Sequence, residues 1–133
     1  MISGVNHITF AVADLERALR FYRDVLGFRE VRVWGGGAYL EAGSLWLCLS
    51  LDANASGNLD YSHVAFSVPA QQFPALSDRI IESGASLWKP NRSEGESLYF
   101  CCPDGHRLEL HVGDLRSRLH AMNESPAQCC GAL

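Results

Sequence analysis

The chain has no run of lysine or arginine. Charged side chains are 20% of its 133 residues and the net charge is −4. A nucleic-acid partner would call for a basic patch, so that class is set aside. No apolar stretch comes near the ~20 residues needed to cross a bilayer. The first residues, Met-Ile-Ser-Gly-Val-Asn-His, lack both the basic and the apolar part of a secretory signal, and a cytoplasmic location is expected. There is no Cys-x-x-Cys pair. The five cysteines (Cys48, Cys101, Cys102, Cys129 and Cys130) are odd in number, and four of them stand in vicinal pairs. Neither a zinc framework nor a disulfide framework is visible, which leaves reduced thiols in a reducing compartment.

What is present is an internal echo. His7 opens His-Ile-Thr-Phe-Ala-Val, and His63 opens His-Val-Ala-Phe-Ser-Val. Both segments alternate as half-buried strands do. Ile8, Phe10 and Val12 share one face of the first, with His7, Thr9 and Ala11 on the other. Val64, Phe66 and Val68 oppose His63, Ala65 and Ser67 in the second. A chain that does this twice reads as a duplicated unit with two imidazoles in matching places, and matched imidazoles point to a shared metal site.

The rest of the chain fits the duplication. Asp14 is placed to cap a helix carrying Leu15, Ala18, Leu19, Tyr22 and Leu26, with Gly27 at its end. Strands are expected near 28–34, 38–42 and 44–50, with a turn at Gly35-Gly36-Gly37. Residues 52–60 read as a linker. A strand over 61–68, a helix over 70–83, and strands over 85–89, 97–102 and 106–112 repeat the order. Pro103-Asp104-Gly105 turns between the last two. The expectation is one α+β domain over 1–133. It is built from two βαβββ units, 1–51 and 61–116, whose curved mixed sheets enclose a metal site. Residues 117–133 form a tail, a short helix followed by a mobile end.

Alternation also sorts the strand faces. His7, Thr9, Trp46, Cys48, His63, Tyr99 and Glu109 fall on the faces opposite the apolar ones. A buried carboxylate is costly unless paired or bound to a cation. Taken singly, each of these residues has an ordinary structural role. Together, His7, His63 and Glu109 form a ligand set that leaves coordination positions open, as a catalytic site requires. Imidazole with carboxylate suits Mn, Fe, Co, Ni or Zn, and composition does not choose among them.

At this point the chain resembles the vicinal oxygen chelate superfamily, the glyoxalase-like fold of paired βαβββ units. Within it, the chain is similar to the manganese-dependent glutathione transferases that confer fosfomycin resistance. The resemblance runs from Val5 to about Leu119. It rests on residues 6–9, 37–41 and 43–50, on the Lys-Pro-Asn-Arg-Ser-Glu-Gly-Glu-Ser stretch at 89–97, on 103–109, and on His-Val-Gly-Asp-Leu-Arg-Ser-Arg-Leu at 111–119. It implies that His7, His63 and Glu109 bind Mn2+, and that Thr9, Lys89, Ser93, Tyr99 and Arg118 hold the phosphonate or epoxide oxygen of fosfomycin. Asn91, Ser93, Glu94, Gly95 and Ser97 would bind an activating K+. Tyr39 would lie near the glutathione thiol, and Trp46 and Tyr61 would wall the pocket. The catalytic set is then Thr9, Tyr39, Lys89 and Arg118. Sites shared across a homodimer are implied, with His7 from one chain and His63 and Glu109 from the other. Two alternatives are kept: the same fold using another thiol or water, and a metal-free drug-binding protein. Gly35-Gly36 departs from relatives, which carry polar side chains there, and Cys129-Cys130 matches no functional motif.

Overall fold

The computed structural model describes residues 1–57 and 59–124. The order is β1 (His7–Val12), α1 (Leu15–Leu19), β2 (Arg29–Trp34), β3 (Gly37–Ala42), β4 (Leu45–Leu51), β5 (Val64–Ser67), α2 (Phe73–Glu82), β6 (Leu87–Lys89), β7 (Ser97–Cys101), β8 (Arg107–His111) and α3 (Leu115–Glu124). Two four-stranded sheets result, ordered β1-β4-β3-β2 and β5-β8-β7-β6. In each, the first strand runs parallel to the last and the others pair antiparallel. This is the α+β, twice-βαβββ architecture expected from the sequence.

The chain groups into two compact units. One is Met1–Gly57 with Cys102–His106, and the other is Asn58–Cys101 with Arg107–Leu133. The α3 helix begins at Leu115, two residues before the expected tail. Residues 125–133, with Cys129 and Cys130, lie outside the described residues.

In the first unit, the Asp14 carboxylate accepts from Arg17 N at 3.0 Å and starts the helix. One α-turn later the helix widens into a π turn over Arg20–Val25, marked by Leu26 N donating to Phe21 O at 2.9 Å. The wider turn leaves both Phe21 and Tyr22 buried, beside Phe10, Val12, Leu19, Phe28, Leu40, Leu47 and Leu49. Each large side chain buried this way contributes about 1.5–3 kcal/mol. The 102–106 turn completes this unit. Asp104 Oδ1 accepts from Ala13 N and from Arg17 Nη2, both at 2.9 Å. Gly57 backs directly onto the Gly105 carbonyl, where a Cβ would collide with backbone.

In the second unit, a 3₁₀ turn over Ala70–Gln72 leads into α2, which buries Ser77 and Ile80. The sheet buries Phe100, Leu108 and Leu110. Strand β5 is shorter than the alternation predicts, so His63 stands just ahead of it. Its ring is held by Tyr61, Trp88 and Tyr99 instead.

Candidate metal and anion site

The second unit gathers most of the expected site residues. Strand β8 presents Glu109, paired with Ala65 on β5 and Tyr99 on β7, so these side chains share a face. Glu109 is 6% exposed. Its Oε1 lies 3.0 Å from His63 Nε2, and its Oε2 accepts from Ser97 Oγ at 2.7 Å.

The His63 geometry is diagnostic. Its Nδ1 lies 2.9 Å from the Tyr61 carbonyl, which only accepts, so Nδ1 carries the hydrogen. In the neutral ring Nε2 then offers a lone pair, and it faces a carboxylate oxygen that also offers lone pairs. Two acceptors at 3.0 Å require a proton or a cation between them. An imidazole fixed by a backbone carbonyl on its outer nitrogen is the arrangement metal-ligating histidines commonly have. The donor set therefore fits a divalent metal.

A cation stands on the same face. Strand β6 is irregular between Leu87, opposite Phe100, and Lys89, opposite Tyr99. Two residues of β6 thus match one step of β7, and both Trp88 and Lys89 come to lie beside Tyr99. Lys89 Nζ donates to the Tyr61 hydroxyl at 2.6 Å. It sits 4.9 Å from the Tyr61 ring centre and 4.7 Å from that of Tyr99. Aromatic faces attract an ammonium without neutralising it, and these contacts fix the Lys89 ammonium on the Tyr99 face.

The 91–97 loop borders this cluster. Asn91 Oδ1 accepts from Ser93 N at 3.2 Å and Ser93 Oγ at 3.3 Å, and Asn91 Nδ2 donates to Gly95 O at 2.9 Å. The loop then presses on the end of β8. Gly95 has φ +77°, and a Cβ there would meet the Val112 carbonyl at 2.6 Å. Glu94 Oε1 pairs with Arg118 Nε of α3 at 3.2 Å and lies 3.8 Å from His111 Nε2. His111 Nδ1 also lies 2.6 Å from Ser97 Oγ and 3.4 Å from Glu109 Oε2. His111 and Trp88 were not singled out from the sequence. For His111 the signal was its position two residues beyond Glu109, on the same face of one strand. For Trp88 there was no signal, because alternation assigns it to the other side.

In the first unit, His7, Thr9, Tyr39 and Trp46 share one sheet face. The register pairs His7 with Trp46, and Thr9 with Cys48, which pairs in turn with Tyr39. The rings form a ladder, with Trp34 to Tyr39 at 4.8 Å, Tyr39 to Trp46 at 5.3 Å and Trp46 to His7 at 4.5 Å. His7 Nδ1 lies 2.7 Å from Asn6 Oδ1. His7 thus repeats the His63 pattern, with its outer nitrogen engaged by an oxygen. At the position where the second unit has Glu109, the first has Cys48. Among the described residues of one chain, no three His, Cys, Asp or Glu side chains gather as a metal group. No described helix is long and apolar enough to cross a membrane.

Comparisons with known proteins agree with this architecture. Residues 4–110 match the Glyoxalase/Bleomycin resistance protein/Dioxygenase superfamily. The chain is 45% identical over 130 residues to glutathione transferase FosA of Serratia marcescens, covering 95% of this chain and 92% of that protein. It is 36% identical over 126 residues to metallothiol transferase FosB of Shouchella clausii, covering 90% of this chain and 86% of that protein. Among solved structures, it matches fosfomycin resistance protein FosX of Listeria monocytogenes, complexed with Mn(II) and sulfate. The TM-score is 0.78 at 30% identity, covering 90% of this chain and 98% of that one. The chain belongs to the Glyoxalase/Bleomycin resistance protein/Dioxygenase superfamily and, within it, to the fosfomycin-resistance proteins that include the FosA glutathione transferase.

Proposed function

We propose that the protein is a thiol transferase that inactivates fosfomycin by adding glutathione to its epoxide, with Mn2+ and K+ as the ions it uses. The observation that carries this reading is the His63–Glu109 pair, two acceptors 3.0 Å apart, beside a lysine held between two tyrosine rings. A metal-ligand pair and an anion-binding cation on one sheet face suit a phosphonate epoxide.

His63 and Glu109, with His7 from a partner chain, would hold the metal, which when bound would supply a Lewis acid for the epoxide oxygen. The protein's own groups do the rest. Lys89 and Arg118 supply positive charge to the phosphonate, and Ser93, Tyr99 and Thr9 supply hydroxyl donors. Tyr39 stands beside the thiol, which attacks as thiolate after losing its proton. The sulfur–carbon bond forms as the carbon–oxygen bond of the ring breaks, and the ring oxygen ends as a hydroxyl. Trp46 and Tyr61 wall the pocket and keep the two reactants in line. Asn91, Ser93, Glu94, Gly95 and Ser97 offer side-chain and carbonyl oxygens, the donor type a hard monovalent cation takes. The water-using alternative needs a free carboxylate as base on the first-unit face. Glu41 is engaged there by Arg29, which favours the thiol.

The test is adduct formation from fosfomycin by the purified protein with Mn2+ and K+, offered glutathione, cysteine and water in parallel and read by mass spectrometry. A glutathione adduct that requires Mn2+ is expected. Diol or a cysteine adduct alone overturns the assignment of the nucleophile.

A further inference from the structure

The two units place a cation at the same spot. In the second, the bulge in β6 brings Lys89 opposite Tyr99. In the first, β2 is irregular between Glu30, opposite Leu40, and Arg32, opposite Tyr39. The bulge falls at the equivalent place and turns Arg32 onto the Tyr39 side of the sheet. Lys89 is engaged, by the Tyr61 hydroxyl and by two rings. Arg32 is exposed, and among the described residues its guanidinium makes no hydrogen bond, ion pair or ring contact.

The rest of that face does not compete for it. Arg29 and Glu41 are paired with each other. Glu30, on the far side of the bulge, is paired with Arg23. The turn beyond Trp34 is Gly35-Gly36, which presents no side chain. The face therefore carries an aromatic ladder of Trp34, Tyr39, Trp46 and His7, with one uncommitted guanidinium at its edge.

We infer that Arg32 binds a carboxylate of the thiol substrate and thereby selects glutathione over thiols without a carboxylate. The inference rests on the reading above that the thiol lies beside Tyr39. Residues facing each other across an antiparallel pair have Cβ atoms about 4.5–5.5 Å apart, and an arginine side chain reaches further still. A thiolate held at Tyr39 thus leaves the terminal carboxylates of a tripeptide within reach of Arg32. The guanidinium fork matches a carboxylate bidentately, which a lysine does not. The ladder beside it offers flat apolar surface to the peptide backbone. In this arrangement Lys89 serves the phosphonate and Arg32 the thiol, one cation from each repeat.

The experiment compares wild type, Arg32→Ala and Arg32→Lys in steady-state kinetics with fosfomycin. The thiols are glutathione and glutathione esterified at both carboxylates. For Arg32→Ala we expect KM for glutathione to rise roughly tenfold or more with kcat little changed, the signature of lost ground-state binding. Arg32→Lys should fall between. With the diester, wild type and Arg32→Ala should have the same KM. A glutathione KM shifted by less than about twofold, or an equal shift for the diester, overturns the role of Arg32 while the transferase reading stands. Absence of any thiol adduct from the wild type overturns both.

Discussion

Glu109 answers to three neighbours at once: His63 through Oε1, and Ser97 and His111 through Oε2. Splitting the two oxygens this way leaves Oε1 for a cation and ties Oε2 to the protein. Glu109→Ala removes the only charged member of the His63 pair. Its Mn2+ affinity, followed by electron paramagnetic resonance, should fall by more than the roughly 10–100-fold that loss of a supporting partner costs. Unchanged affinity would take Glu109 out of the site. Gly95 is constrained differently. Its φ of +77° and the nearby Val112 carbonyl leave no place for a methyl group. A left-handed non-glycine residue costs roughly 1–2 kcal/mol before any clash. Gly95→Ala should therefore lower stability by at least that amount in urea unfolding. It should also blunt the proposed activation by K+, since Gly95 helps close the loop around Asn91. A variant with wild-type stability and wild-type K+ response would mean that the loop shifts without consequence.

At the level of strands and helices, much was legible because alternation is a local property. The faces of β1, β4 and β8 follow from every second residue, and the βαβββ order follows from punctuation by Asp14, Gly27 and Gly84. The bulge in β6 was not legible. It carries no glycine or proline and is stabilised by what Trp88 and Lys89 touch, which are Leu108, Tyr61 and Tyr99. Strict alternation would have put Trp88 and Lys89 on opposite sides. The π turn after α1 is likewise chosen by burial of Phe21 and Tyr22, not by the local residues. The 102–106 turn holds a titration that no pattern announced. Burial pushes His106 below its ordinary value, against the pull of Asp104, and its ring packs on Phe10. Burial likewise raises the Cys102 thiol, 3.1 Å from His106 Nδ1. Because the folded protein favours neutral His106, the unfolded chain takes up the proton first as pH falls through about 6.5. Stability from this group is full above that pH and declines below it, until the folded form is protonated too. Melting temperature should drop from pH 7 to pH 5 in the wild type and drop less in His106→Gln. Parallel curves would assign the acid sensitivity to other groups.

For the molecule as a whole, the two imidazoles belong to different repeats, His7 to the first and His63 to the second. The proposed homodimer brings His7 from one chain to His63 and Glu109 of the other. Subunit mixing tests this directly. His7→Ala and Glu109→Ala proteins are inactive alone on this reading. Denatured together and refolded, they should recover roughly a quarter of wild-type activity, because half the dimers are mixed and each of those has one intact site. No recovery would place all three ligands in one chain. A separate property of the whole follows from the turn at 102–106. Asp104 caps Ala13 from 91 residues away, and Gly105 lies against Gly57. The first repeat thus lacks part of its own packing until the 102–106 turn has been made. Loop closures of that length are slow to form. On the ribosome, the leading half must wait, incompletely packed, for a turn 91 residues downstream of Ala13. Two repeats that look separable by sequence are therefore not completed in sequence order, because the leading one finishes its packing only after strands of the second have been made.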